Sequence, residues 1–239
     1  LGQACAEEVR RAGPPGIDRQ RPDDFQRHRN QNLEDLRKEL IAGSYRCQPV
    51  LQHSIPKKKG GVRTLGICTV RDRIVQRSLL QVLGPTLECS FLDCSHGYRP
   101  RRSAETAINQ IQRLREEGYL WAYEADIEDC FGSVNPELLG TEVEAMLGES
   151  SLHWLILTIL KSGALAHGMI QQGYLGLPQG SPLSPLLANL YLHPFDQALC
   201  KQGFQLVRYA DDFLILTKTE KEAECAGDAA ESVLYQRYM

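Results

Sequence analysis

The sequence is informative first through what it lacks. Its best apolar stretch, residues 152–160, contains His153 and is far shorter than the ~20 residues of a membrane span, so no membrane partner is expected. No basic, apolar and small-residue leader opens the sequence, and we expect a cytoplasmic protein without a secretory signal. The chain opens at Leu1 and not at Met, so we expect it to be a piece of a longer product.

The cysteine pattern lacks the pairs that usually hold metals. None of the 8 cysteines stands in a CxxC pair. Cys89 and Cys94 are the closest two, and although His96 follows them, no second ligand pair lies at zinc spacing. This pattern favours reduced, mostly buried thiols over a zinc site.

The composition is that of an ordinary globular chain. Hydrophobic residues make up 42% and charged residues 24% of 239 positions, which suffices for a core and excludes a disordered tail, a collagen-like chain and a small disulfide scaffold. The net charge is only −3, but residues 57–102 hold ten Lys or Arg against three acids, a local balance of +7. Such a segment is either a footprint for phosphates or a solvated basic face.

Hydrophobic periodicity predicts interleaved helices and strands without a regular βαβ rhythm, which favours an α+β fold. The opening is loop-like through residues 13–16. The predicted helices cover residues 23–41, 71–83, 103–117, 136–147, 151–161, 182–199 and the last twenty. The predicted strands cover 48–55, 62–67, 119–127, 205–209 and 213–217, with two more within 163–180.

Carboxylates end the apolar strands. Asp126 closes one strand, and Asp211 and Asp212 lie at the tip of a hairpin. Paired aspartates are common in turns, where they accept local hydrogen bonds. If the fold brings all three to one sheet edge, their mutual repulsion is best relieved by divalent cations, and two Mg²⁺ ions so held serve phosphoryl transfer.

Five blocks carry a family resemblance. They are YADD at 209–212, LPQGSPLSPLLAN at 177–189, ADIEDCF at 125–131, IPKKKGGVR at 55–63 and HGYRP at 96–100. In this order they resemble the blocks of reverse transcriptases of group II intron type, which are bacterial or organellar. The resemblance implies the fingers (1–104) and palm (105–239) of a right-hand polymerase, with a fingers-like insertion at about 136–178 and no thumb. The implied palm is an antiparallel sheet with helices packed on one face.

The resemblance also implies metal ligands. Asp126, Asp211 and Asp212 match the metal-binding aspartates, with the backbone carbonyl of Ile127 as a further ligand. They are expected to hold two Mg²⁺ ions, for which Mn²⁺ can substitute, while a primer 3′-hydroxyl attacks the α-phosphate of a dNTP.

Further roles follow by position. Lys57 and Arg63 match residues that hold the triphosphate, and Gln179 matches one that packs on the incoming nucleotide. Phe131 is expected to act as a steric gate against the ribose 2′-hydroxyl, with a buried core ring as the alternative. The candidates for template backbone contacts are Arg71, Arg73, Arg77, Arg99, Arg101 and Arg102.

Some positions depart from the family pattern. Gly132 stands where intron-type relatives usually carry Asp, and Ser181-Pro182 replaces the more usual small-plus-β-branched pair. Neither departure has an explanation in the sequence.

The implied function is RNA-directed DNA synthesis on an RNA template from a DNA or RNA primer. The residues of these blocks most resemble those of CRISPR-associated reverse transcriptases. This resemblance implies spacer acquisition from RNA with a fused or associated CRISPR integrase. The alternatives are a group II intron maturase and a catalytically silent RNA-binding module. A template-independent or DNA-templated nucleotidyltransferase would use the same carboxylates.

Overall fold

The structure is a computed structural model that describes residues 1–56, 61–148, 150–166, 168–171 and 176–238. The helices of this part are α1 (Gly2–Arg11), α2 (Pro22–Arg27), α3 (Arg29–Ile41), α4 (Val70–Glu88), α5 (Ala104–Glu116), α6 (Pro136–Leu147), α7 (Ser151–Leu160), α8 (Ser184–Lys201) and α9 (Glu220–Tyr238). Its strands are β1 (Val50–Pro56), β2 (Val62–Ile67), β3 (Trp121–Asp126), β4 (Ala164–Ala166), β5 (Met169–Gln171), β6 (Gln205–Tyr209) and β7 (Asp212–Thr217). None of the described helices is both long and apolar enough to cross a bilayer.

The chain forms two compact units. One contains Leu1–Pro85 and Pro136–Pro185, and the other contains Thr86–Asn135 and Leu186–Met239. The assignment of fingers to 1–104 and palm to 105–239 stays a prediction.

The first unit contains a four-stranded sheet in the order β2-β1-β4-β5. β1 pairs antiparallel with β2 and parallel with β4, and β4 pairs antiparallel with β5. The predicted β1–β2 hairpin is present, with Ile55 opposite Arg63. The predicted basic tip of this hairpin, residues 57–60, lies outside the described residues.

Two helical predictions for the first unit were wrong. Helix α1 was missed because its apolar positions are small and one of its buried positions is Glu8. The helix predicted over 23–41 is broken at His28, whose φ of −117° and ψ of 29° end α2 and begin α3. Helix α2 has its own start, with Pro22 in the first turn and Asp24 accepting a hydrogen bond from the backbone of Arg21.

The second unit is built around an antiparallel sheet in the order β3-β7-β6. On one face Phe213 and Ile215 pack with residues of α8 and α9, among them Phe195 and Ala226. On the other face Val207, Leu214 and Leu216 pack with Ala107 and Leu114 of α5.

The predicted antiparallel sheet is therefore confirmed, but it has helices on both faces rather than one. Successive residues of β7 point to opposite faces and are all apolar from 213 to 216, so each face needs a cover. The apolar stripe of α5 supplies the second one.

Candidate active site

Two of the three aspartates face each other across the second sheet. Asp126, the last residue of β3, is the register partner of Asp212, the first residue of β7. Partners in an antiparallel pair point to the same face with Cβ atoms about 4.5–5.5 Å apart. The structure thus brings together carboxylates that lie 86 positions apart in the sequence.

The third aspartate lies in the turn between β6 and β7. Tyr209 pairs with Asp212, so the hairpin loop has only two residues, Ala210 and Asp211. Ala210 has a φ of 61°, in the left-handed region that a Cβ disfavours. The backbone N–H of Ile127 donates to the carbonyl of Asp211 over 3.2 Å, which ties the end of β3 to the turn.

The carboxylates interact electrostatically. The pKa of Asp212 is raised, first by burial and then by the negative charges of Asp211, Asp126 and Glu124. Each of these causes disfavours the ionised form of Asp212, and a bound cation would offset the repulsion among the carboxylates.

The donor set suits Mg²⁺. Carboxylate and carbonyl oxygens are the donors that Mg²⁺ prefers. Within the described ranges no group of three or more His, Cys, Asp or Glu is placed so that it could hold a metal ion. Mg²⁺ usually takes one or two carboxylates and completes its shell with substrate phosphates and water. Asp126 and Asp212, adjacent in register, offer such a pair.

Phe131 is half-buried and has an aromatic neighbour. The ring of Tyr98 meets it edge-on, with ring centroids 6.2 Å apart and planes at 85°. Tyr98 itself is 52% exposed and has a φ of 59°. Phe131 is thus held at the surface of this unit and is not a fully buried core residue, although its role as a gate remains a proposal.

Gly132 lies against the carboxylate of Asp129. A Cβ added at this position would lie 2.1 Å from Oδ2 of Asp129, so the carboxylate of Asp129 fills the space of a side chain. Asp129 has a left-handed φ of 45°, and its carbonyl accepts from the backbone N–H of Ser133 over 2.8 Å. A side chain at 132 would therefore require the exposed carboxylate of Asp129 to move.

In the first unit, the strand of Arg63 is joined to the loop of Gln179. The backbone N–H of Gly66, on β2, donates to the carbonyl of Gln179 over 2.7 Å. A Cβ at Gly66 would lie 2.9 Å from Cβ of Pro178, so this close approach requires glycine. Arg63 is exposed on the same strand, and Lys57 lies outside the described residues.

The hydroxyl of Ser181 makes two hydrogen bonds in the interior of the first unit. This buried hydroxyl donates to Oε1 of Gln76 over 2.8 Å and accepts from the backbone N–H of Leu183 over 3.3 Å. It therefore anchors the loop of Gln179 to α4 and precedes the first turn of α8. These bonds give Ser181 a structural role, while nothing in the structure explains Pro182 in place of the β-branched residue.

The six arginines predicted to contact a template have different environments. Arg73 and Arg77 are buried and share the carboxylate of Glu8, while Arg99 is buried against Glu88. All three side chains are buried in ion pairs and not exposed to solvent, so they are not among the template contacts proposed below. Arg71 is half-buried on Glu39, Arg102 pairs with Asp93, and Arg101 is exposed.

Sequence reasoning missed a charged group beneath the aspartate turn. Arg208 is fully buried and forms an ion pair with Asp196 of α8. The available signal was a lone Arg within the apolar strand QLVRY, since a charge at such a position requires a buried partner.

Comparison with known proteins assigns the family. The model of the family described as reverse transcriptase (RNA-dependent DNA polymerase) matches residues 55–238, and the chain belongs to this family. The chain is 36% identical to the group II intron-encoded protein LtrA of Lactococcus lactis subsp. cremoris, over 70% of this chain and 28% of LtrA. It is 31% identical to the protein YkfC of Escherichia coli K12, over 93% of this chain and 68% of YkfC.

A solved structure supports the fold. The chain is similar to one in a partial Cas6-RT-Cas1–Cas2 complex, with 31% identity and a TM-score of 0.57, over 98% of this chain and 39% of that one. These findings confirm the resemblance to group II intron-like reverse transcriptases, including a CRISPR-associated one, and the fingers-and-palm fold class. The chain spans less than half of LtrA and of the chain in that complex.

Proposed function

We propose that this chain is the polymerase part of an RNA-directed DNA polymerase, which adds dNTPs to a primer 3′-hydroxyl on an RNA template. The observation that carries the proposal is the register of Asp126 opposite Asp212, with Asp211 in the adjoining two-residue turn. Family membership over residues 55–238 supplies the reaction class. Retention of all three carboxylates disfavours a catalytically silent RNA-binding module.

Separate residues are proposed to hold the metal ions and to select the sugar of the nucleotide. Asp126, Asp211 and Asp212, with the carbonyl of Ile127, would hold two Mg²⁺ ions. Ions bound there would activate the attacking hydroxyl and stabilise the leaving pyrophosphate. Phe131 lies five residues after Asp126, where its ring excludes a nucleotide with a 2′-hydroxyl.

Other candidates bind and orient the dNTP. Arg63 is exposed on β2, and a guanidinium there can grip a phosphate with two parallel hydrogen bonds. Gln179 lies in the loop held to the same strand through Gly66 and packs on the nucleotide. Lys57 is proposed to contact the triphosphate as well, because of its position in the sequence block at 55–63. Arg101 contacts the template backbone.

The proposed setting is CRISPR spacer acquisition from RNA, with an integrase as fused or associated partner. It is supported by the similarity to a chain of the Cas6-RT-Cas1–Cas2 complex over 98% of this chain. The second candidate is a group II intron-encoded protein, supported by 36% identity to LtrA. Flanking sequence separates them: an integrase domain or an adjacent repeat array supports the first, whereas a maturase domain within an intron supports the second.

The test of the reaction class is templated extension. The protein is incubated with Mg²⁺ and a primer annealed to an RNA template of mixed sequence, with a DNA template of the same sequence as the comparison. We expect products whose sequence is complementary to the RNA. Extension without a template, or RNA binding without any extension on either template, would contradict the proposal.

A further inference from the structure

Arg208 lies at the base of the aspartate turn with no solvent exposure. Its guanidinium grips Asp196 with two bonds, Nε to Oδ1 over 2.7 Å and Nη2 to Oδ2 over 2.6 Å. Both side chains are only 1% exposed. Such a pair is costly to bury unless every remaining donor also finds an acceptor.

Every donor of this guanidinium has an acceptor. The second hydrogen on Nη2 goes to Oγ of Ser95 over 2.9 Å. Those on Nη1 go to Oδ1 of Asn189 over 3.1 Å and to the carbonyl of Ala210 over 2.8 Å. An arginine has five N–H donors, so all are used. One side chain thus connects α8, the segment at residue 95 and the turn that carries Asp211.

The backbone around this side chain is equally constrained. The N–H of Arg208 donates to the carbonyl of Cys94 over 2.7 Å, and its carbonyl accepts from the N–H of His96 over 2.8 Å. The side-chain amide of Asn189 donates to the carbonyl of Gly97 over 2.8 Å. A Cβ at Gly97 would lie 2.3 Å from the backbone nitrogen of Ala210, so residues 94–97 press directly against the turn.

The hydrogen bond from Arg208 to the carbonyl of Ala210 is the one that bears on the position of the aspartates. The φ of 61° at Ala210 is a conformation that an L-residue keeps only where its surroundings fix it. The carbonyl that Arg208 binds belongs to the peptide between Ala210 and Asp211. Its orientation sets where the Asp211 side chain leaves the backbone. Because Asp212 opens β7 opposite Asp126, the same peptide also affects the spacing of the other two carboxylates.

We propose that Arg208, held by Asp196 and Asn189, is a positioning residue that fixes the Asp211–Asp212 turn in its metal-binding geometry. The inference deepens the proposed polymerase function and rests on it. Arg208 touches neither substrate nor the reacting atoms, and it acts only through the turn. A merely structural role would affect folding and leave metal affinity unchanged.

The first test uses R208K. A lysine keeps the charge beside Asp196, but its single ammonium cannot reproduce a fork on Asp196 and also bind the Ala210 carbonyl. The control is L199A, because Leu199 lies about one turn beyond Asp196 on α8, packs in the apolar cluster with Phe213 and is not part of the Arg208 network. Both variants are compared at temperatures equally far below their own melting points.

Two readouts separate positioning from packing. We expect R208K to lower kcat about 10- to 100-fold, with KM for dNTP within about twofold, and to raise the Mg²⁺ concentration for half-maximal rate about five- to tenfold. Mn²⁺ binding, followed by electron paramagnetic resonance without substrate, weakens by the same factor. L199A should leave both metal readouts at the wild-type value. Metal readouts that are the same in R208K as in wild type or L199A would overturn the proposal.

The Mn²⁺ measurement keeps this proposal distinct from the polymerase proposal. A wild-type protein that binds Mn²⁺ more tightly than R208K but extends no primer supports the positioning role and contradicts the proposed function. If R208K does not fold, N189S provides a second variant, because it removes one acceptor of Arg208 and the bond to Gly97 while leaving the pair with Asp196. We expect the same direction of change with a smaller amplitude, and unchanged Mn²⁺ affinity in N189S would overturn the proposal.

Discussion

The ring of Tyr98 meets that of Phe131 edge-on at 6.2 Å, and this contact joins the block at 96–100 to the turn after Asp126. Edge-to-face pairs contribute about 0.5–1.5 kcal/mol beyond the apolar area they bury. The pair therefore restricts where the Phe131 ring can lie, which is what a steric gate requires.

Removing the Phe131 ring should relax sugar selection. In Phe131→Ala we expect the ratio of ribonucleotide to deoxyribonucleotide incorporation to rise about tenfold or more, because the 2′-hydroxyl no longer meets the ring. Single-nucleotide kcat/KM values for a matched dNTP and rNTP measure this ratio. An equal fall for both substrates would show that Phe131 serves only packing.

Tyr98 should act in the same direction and more weakly. Tyr98→Ala removes the edge-on support but leaves the gate ring, so we expect a rise of about two- to fivefold in the same ratio. Tyr98→Phe retains the ring and is the matched control, expected to select sugars as the wild type does. A Tyr98→Ala protein with wild-type selectivity would refute the supporting role.

Arg63 should affect the nucleotide and not the duplex. In Arg63→Ala we expect kcat/KM for dNTP to fall roughly 10- to 100-fold, the effect of losing one or two charge-assisted hydrogen bonds. Affinity for primer–template, measured by fluorescence anisotropy, should stay within twofold. Arg37→Ala, on exposed α3, is the control and should change neither value. A comparable loss of duplex affinity in Arg63→Ala would assign Arg63 to the template instead.

Glu8 should matter for stability. It is 1% exposed and pairs with both Arg73 and Arg77, so Glu8→Gln leaves two guanidinium groups buried without their anion. We expect a loss of about 3–5 kcal/mol in the free energy of unfolding by denaturant. Glu34→Gln breaks an exposed pair with Arg37 and should cost less than about 1 kcal/mol. Equal stabilities of the two variants would contradict the structural role of Arg73 and Arg77.

Elements with a strong local pattern were predictable from the sequence. Strand β6 and helix α6 have the predicted bounds. The strand pattern placed Asp126 and the 211–212 pair at strand ends, and the family resemblance implied that they share one site, which agrees with the register of Asp126 opposite Asp212. The five sequence blocks identified the family without any structural information.

What could not be predicted depends on distant partners. Arg63 and Arg73 both belong to the basic segment at 57–102, yet Arg73 is buried on Glu8, 65 residues away, while Arg63 is exposed. The apolar stripe of α5 indicates that this helix packs against an apolar surface. It does not indicate which face of the sheet that surface belongs to. The position of the Asp129 carboxylate against Gly132 likewise cannot be inferred from the sequence.

The central claim is that Asp126, Asp211 and Asp212 catalyse nucleotide addition, and primer extension by the three Asp→Asn variants at saturating primer–template tests it most directly. We expect each variant to lose about 1000-fold in kcat on an RNA template with Mg²⁺, equivalent to about 4 kcal/mol of transition-state stabilisation, while its melting temperature stays near wild type. Asp228→Asn, at an exposed position of α9, is the control and should extend normally. Wild-type extension by the Asp211→Asn protein would contradict the account.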